Sequence, residues 1–174
     1  EKKTVISKMI DQKIKKNNIN NEWSILSKKG LNSFYKNLPN YFQNKDFIHC
    51  SYLKINDNII ATHVGILHNN KFYYLMPGYD LETWGKYSPG RLLLKFLVKW
   101  SYENKIKYFD FTYGDEKYKT IWSNNSFHLC AYNKSRTLKG EIYLFLTMVF
   151  EILKKNQKLK NFIKPFYNFY RNIS

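Results

Sequence analysis

Ser88-Pro89-Gly90-Arg91 is the stretch whose residue types most directly suggest chemistry. Serine suits a helix N-cap and proline the first helical position, so the stretch opens a helix. The first turn of a helix carries amides without intrahelical partners and the positive end of the backbone dipole, a setting for an anion such as a phosphate. The amides of Gly90, Arg91 and Leu92 are the expected donors, Gly90 allows close approach to the backbone, and the Arg91 side chain adds charge-assisted hydrogen bonds. A motif this short is also read simply as a helix start. His63, beside Gly65, is a base candidate because imidazole titrates near neutral pH, with a core histidine as the alternative. Asp115 follows Gly114 at the end of an expected strand, where α/β folds collect functional groups. It is placed to accept a proton, to bind a cation, or to cap the next helix. Cys50 and Cys130 lie far apart, and neither they nor His49, His68 and His128 have partners at ligand or triad spacing. No metal site and no disulfide is expected, which fits a reducing cytosol.

These residues need elements to hold them. Val5, Met9, Ile10 and Ile14 recur at helical spacing among lysines, giving an amphipathic helix over 4–18, and a second helix is expected over about 23–37. From Asp46 the period becomes two: Phe47, His49, Ser51, Leu53 and Ile55 share a face, and Asn56-Asp57-Asn58 turns the chain into a strand over 59–67. A second turn at His68-Asn69-Asn70 leads to an aromatic strand over 71–79, completing an antiparallel meander. Pro77-Gly78 should interrupt that last strand with a bulge at which the sheet splays. The helix from Ser88 runs to about 103 with Leu92, Leu93, Phe96, Leu97 and Trp100 as its buried stripe. A strand over 107–112, a helix over 115–122 and a strand over 127–133 follow, an alternation that predicts a mixed α/β (α+β) sheet. After Gly140, Ile142, Phe145, Val149 and Ile152 return to helical spacing, and the tail to Ser174 is basic and aromatic.

At 174 residues the chain suits one globular core. The reading divides it into a domain over 1–138 and a helical tail over 139–174, and the start on Glu1 rather than Met suggests a segment of a longer chain. A net charge of +16 biases it toward anionic partners, among which charge does not choose, and a coding bias toward Lys, Asn, Ile and Tyr produces the same composition. The stretch Ile142–Leu153 is too short to span a bilayer. The tail is read either as an interfacial helix on anionic lipid at the inner face of the membrane, or as packing on its own domain or an upstream half.

Three ordered stretches carry a family resemblance: Tyr73-Tyr74-Leu75-Met76-Pro77-Gly78-Tyr79-Asp80, then Tyr87-Ser88-Pro89-Gly90-Arg91-Leu92-Leu93-Leu94, then Phe109-Asp110-Phe111-Thr112-Tyr113-Gly114-Asp115-Glu116-Lys117-Tyr118-Lys119. Together with the opening helix and Ala61-Thr62-His63-Val64-Gly65, over about residues 8–135, the chain resembles the GNAT acetyltransferases associated with exopolysaccharide and cellulose biosynthesis. The resemblance implies a GNAT fold, acetyl-CoA or another acyl-CoA as donor, and an amine or amino sugar as acceptor. It also implies pantetheine inserted between two diverging strands as an added strand. Ser88, Gly90, Arg91, Leu92 and Lys119 would then serve the cofactor, although a lysine on a helix also serves simply as a solvated charge. Tyr118 would be the general acid for the leaving thiolate, and Asp115 or His63 the base. Tyr79, Asp80 and Gly114 would line the acceptor pocket, Tyr79-Asp80 being ordinary turn composition as well. Two other readings keep the fold: a Fem-type transferase using aminoacyl-tRNA, for which the basic charge suits RNA, and a non-catalytic half that binds CoA or a partner.

Overall fold

The computed structural model describes residues 1–42, 46–130 and 132–155. The chain forms two compact units, Glu1–Ser126 and a second beginning at Phe127.

In the first unit, α1 (Lys2–Ile19) buries Val5, Ile6, Met9, Ile10 and Gln12. The expected second helix is two pieces, a 3-10 turn at Ile25–Ser27 and then α2 (Lys29–Tyr41). The meander β1 (Ile48–Ile55), β2 (Asn58–His68) and β3 (Lys71–Tyr79) is antiparallel throughout. Asn69 and Asn70, at φ 49° and 57°, supply the two left-handed residues that a tight hairpin turn needs. A short helix α3 (Leu81–Trp84) and a 3-10 turn (Gly85–Tyr87), neither foreseen, lead into α4 (Pro89–Glu103). After α4 crosses back, β4 (Tyr108–Asp110) pairs parallel with β3, and α5 (Lys117–Trp122) follows. The sheet order is β1-β2-β3-β4, a mixed sheet with helices against it.

The sheet carries a core on each side. Ile6, Met9 and Ile10 of α1 join Leu26, Ile48 and Val64 in one cluster. Leu93, Leu94 and Leu97 of α4 join Ala61, Phe72, Tyr74 and Phe111 in the other. The stripe of α4 is thus rotated from expectation: Leu92 and Phe96 are 46% and 50% exposed, while Pro89, Leu93, Leu94, Leu97 and Ser101 are buried at spacings close to one and two turns.

Two strand expectations are corrected. Pro77 and Gly78 pair in register with His63 and Thr62; the irregularity falls earlier, where Val64 faces Met76 but Ile66 faces Tyr73, so that β3 has an extra residue there. Pro77 is tolerated because β4 has already ended, leaving that part of β3 with β2 as its one strand neighbour among the described residues. The strand expected over 127–133 does not form: residues 127–130 and 132–133 lack regular structure, and Phe127, Leu129 and Tyr132 are highly exposed. A period-two pattern without a ladder partner has nothing to fix it as a strand. In the second unit α6 (Leu138–Lys155) is helical as expected; the rest of the basic tail lies outside the described residues.

Candidate active site

The parallel ladder between β3 and β4 is three residues long, Lys71, Phe72 and Tyr73 opposite Tyr108, Phe109 and Asp110. Beyond it the strands part. Asp110 ends β4: one carboxylate oxygen takes the Lys71 ammonium at 2.7 Å, the other the Thr112 amide at 2.6 Å. Thr112 turns the chain away in a left-handed conformation, φ 59°, and its hydroxyl donates to the Tyr74 carbonyl at 3.4 Å. The outcome is a fork, with the β3 edge from about Leu75 to Tyr79 on one side and residues 111–118 on the other.

Ser88 stands at the N-cap position of α4 in a left-handed conformation, φ 52° and ψ 50°, and its hydroxyl does not cap the helix. Its carbonyl accepts from Arg91 N at 3.0 Å and Leu92 N at 3.2 Å. The Arg91 and Leu92 amides are therefore both taken up within the first turn, a correction that follows from a helix beginning at Pro89 and leaves Gly90 as the expected amide donor of the three. The Arg91 side chain is exposed. Gly90 meets an aromatic ring: a Cβ there would lie 3.1 Å from Tyr79 Cδ1, so its missing side chain admits Tyr79. Lys16 Nζ of α1 stands 5.1 Å from the centroid of that same ring. Tyr79 thus joins the end of α1, the end of β3 and the first turn of α4. Asp80, next along, caps α3 by accepting from Thr83 N at 3.0 Å.

On the other arm, Tyr118 is half-buried with its ring edge-on to Phe111 at 6.2 Å. Burial, and secondarily Glu116, raise its phenol above the usual range, so it holds its proton at neutral pH. Tyr74, which the sequence reading left unassigned, packs on Phe111 at 5.8 Å, and burial together with Tyr118 raises its phenol too. Its position two residues after Phe72, on the same face of β3, was the available signal.

Asp115 is exposed and does not cap α5, whose N-cap position is Glu116. Lys119 is not a solvated lysine: it is buried, donating to the Tyr113 carbonyl at 2.6 Å and pairing with Glu116 at 2.8 Å. Gly114 lies over that pair at φ 121°, where a Cβ would come within 2.5 Å of Glu116 Oε2 and 2.8 Å of Lys119 Nζ. Lys119 therefore braces the loop 113–116 from within. Lys13, also unassigned from sequence, is lowered by burial and by Lys16, with Glu116 opposing. Its spacing of three from Lys16 on α1 was the signal for a paired charge on one face.

His63 lies in the core at 0% exposure, its ring stacked on Tyr74 at 4.4 Å. Both ring nitrogens are buried without a hydrogen-bond partner. Burial, with His49 and Lys13 adding to it, pushes its pKa well below the ordinary histidine value. A fully enclosed imidazole does not reach a substrate amine directly, so the arrangement favours the core alternative. The Cys50 thiol is pushed up to about 11 by burial, which suppresses its thiolate.

Diverging strands, an open strand edge and a glycine-containing helix start lie in one unit of this chain, and residues 6–120 match the acetyltransferase (GNAT) domain family. The chain belongs to that family. No curated protein and no solved structure matches it significantly. The mixed four-stranded sheet flanked by helices is the GNAT fold, and the chain is an acyltransferase enzyme. GNAT domains generally use acetyl-CoA or another acyl-CoA. Beyond Tyr73 the edge of β3 that faced β4 has no strand neighbour among the described residues, a geometry that suits an extended amide-bearing chain, and the start of α4 suits a phosphate.

Proposed function

We propose that this GNAT enzyme moves an acetyl group from acetyl-CoA to the amine of a small acceptor, an amino sugar of a cell-envelope polysaccharide being the class its motifs resemble. The observation that carries the reading is the fork, in which β3 continues past its three-residue ladder with β4 toward the first turn of α4. Gly90 and Arg91 would hold the diphosphate and the β3 edge the pantetheine; the group supplies an activated thioester carbonyl when bound.

The chain's own residues divide the remaining work. Tyr118, whose phenol stays protonated, donates to the leaving sulfur. Asp115, exposed on the opposite arm of the fork from β3, takes the amine proton or holds a cationic acceptor. Tyr79 sets the spacing between Lys16 and the helix start, and His63 fixes the Tyr74 ring by stacking. With the Cys50 thiol held protonated, direct attack by the amine is preferred over a covalent enzyme intermediate.

Calorimetric titration with acetyl-CoA, beside a tRNA control at two salt concentrations, tests this. Saturable binding that weakens by about tenfold in Arg91→Ala supports the reading. No CoA binding, with salt-sensitive tRNA binding, transfers the protein to an aminoacyl-tRNA donor.

A further inference from the structure

We propose that α6 docks the enzyme on an anionic lipid surface, lying in the interface with its apolar face in the membrane. Leu138, Ile142, Phe145, Val149 and Ile152 repeat at spacings of four and three, which puts them along one face of the helix. Leu138 is 76% exposed, Ile142 54%, Phe145 62% and Ile152 58%, and Leu146 beside them 50%. At helical spacing Thr147 falls opposite that face, with Lys139 and Leu146 at one border and Glu141 and Met148, the latter 57% exposed, at the other. Aliphatic and aromatic side chains exposed in a row along one helix mark a surface that buries itself against something.

Length and charge select the occupant. Among the described residues no helix is long and apolar enough to cross a membrane, so α6 does not span one. Its sequence surroundings are basic: Lys134, Arg136 and Lys139 at its start, Lys154 and Lys155 at its end, against Glu141 and Glu151. The sequence after Lys155 adds Lys158, Lys160, Lys164 and Arg171 and no acidic residue. Two copies of a chain with net charge +16 repel as they approach, whereas an anionic bilayer attracts this cluster while accepting the apolar face. The inference is independent of the acyltransferase mechanism.

The test is co-sedimentation of the full chain with vesicles of phosphatidylcholine alone or with a quarter phosphatidylglycerol. Binding to the mixed vesicles alone, weakened by salt and reduced about tenfold or more in Phe145→Glu, is expected. Phe145→Trp gives a second readout that does not depend on a disruptive variant: the emission of the indole it introduces should shift to the blue on mixed vesicles. Equal binding to both vesicle types, an unshifted emission from the Phe145→Trp protein, or a self-associated chain that ignores vesicles and dissociates in Phe145→Glu would each overturn the proposal, the last in favour of a second copy.

Discussion

Lys71 reaches along β3, over the ring of Tyr73 at 4.9 Å, to pair with Asp110 at 2.7 Å. The pair locks the last rung of the parallel ladder, and Asp110 spends its other oxygen on the Thr112 amide that starts the divergence. One carboxylate therefore both closes the ladder and opens the fork.

Replacing Asp110 separates these tasks. Asp110→Asn retains an acceptor for the Thr112 amide and loses the ion pair, while Asp110→Ala loses both. Alanine should cost about 1 kcal/mol more than asparagine in urea unfolding, from the lost amide bond. Partial burial alone would raise the carboxyl pKa, but Lys71, the Thr112 amide and Lys119 together hold it below the usual range. Its contribution is present above the ordinary carboxylate range and disappears as pH falls through the lowered value.

Tyr118→Phe removes a phenol without disturbing the ring contact to Phe111. The expected result is a loss of about 100-fold or more in kcat, with the acetyl-CoA dissociation constant unchanged. Equal rates for the two proteins would remove Tyr118 from proton transfer.

Gly114→Ala forces a side chain into a left-handed backbone and against the Glu116–Lys119 pair, and should cost about 1–3 kcal/mol in thermal or urea denaturation. Lys119→Met leaves the Tyr113 carbonyl without its donor and should cost a similar amount, about 1–3 kcal/mol. If Lys119 instead served only the cofactor, Lys119→Met would weaken CoA binding at unchanged stability.

The meander, both asparagine turns and the start of α4 were legible because each depends on local chemistry: alternation, residues that accept left-handed torsions, and proline at a first turn. The fork was legible only in outline. Pro77-Gly78 signalled an interruption, but the bulge moved to the Tyr73–Met76 stretch because the absence of β4 beyond Asp110 removed the demand on Pro77. The stripe of α4 depends on which side meets the sheet, a tertiary choice that a run of leucines leaves open. Lys119 shows the same limit: sequence gives its charge, while its burial follows from the loop that Gly114 folds over it.

Two histidines, His63 buried and His49 half-buried, make stability depend on mild acid. Burial, with Lys2 adding to it, lowers His49 to about 4, and His63 lies well below the ordinary value. The unfolded chain takes up protons below about pH 6.5 while the folded chain does not, so stability is full above that pH and declines as pH falls. Melting temperature measured from pH 8 to 5 should fall in the native protein and fall less steeply in His63→Phe, which keeps His49; a flat native profile would show that neither imidazole is lowered in the fold.

The shortness of the β3–β4 ladder also ties catalysis to the stability of the sheet. A three-residue parallel pairing closed across the whole of α4 gains few backbone bonds for a long loop. In the proposed binding mode a donor molecule laid along the edge of β3 would act thermodynamically as a missing strand, stabilising the folded state to which alone it binds. At a concentration one hundred times its dissociation constant that linkage amounts to about 2.7 kcal/mol. On that reading the enzyme's resistance to unfolding would rise and fall with its supply of acyl donor.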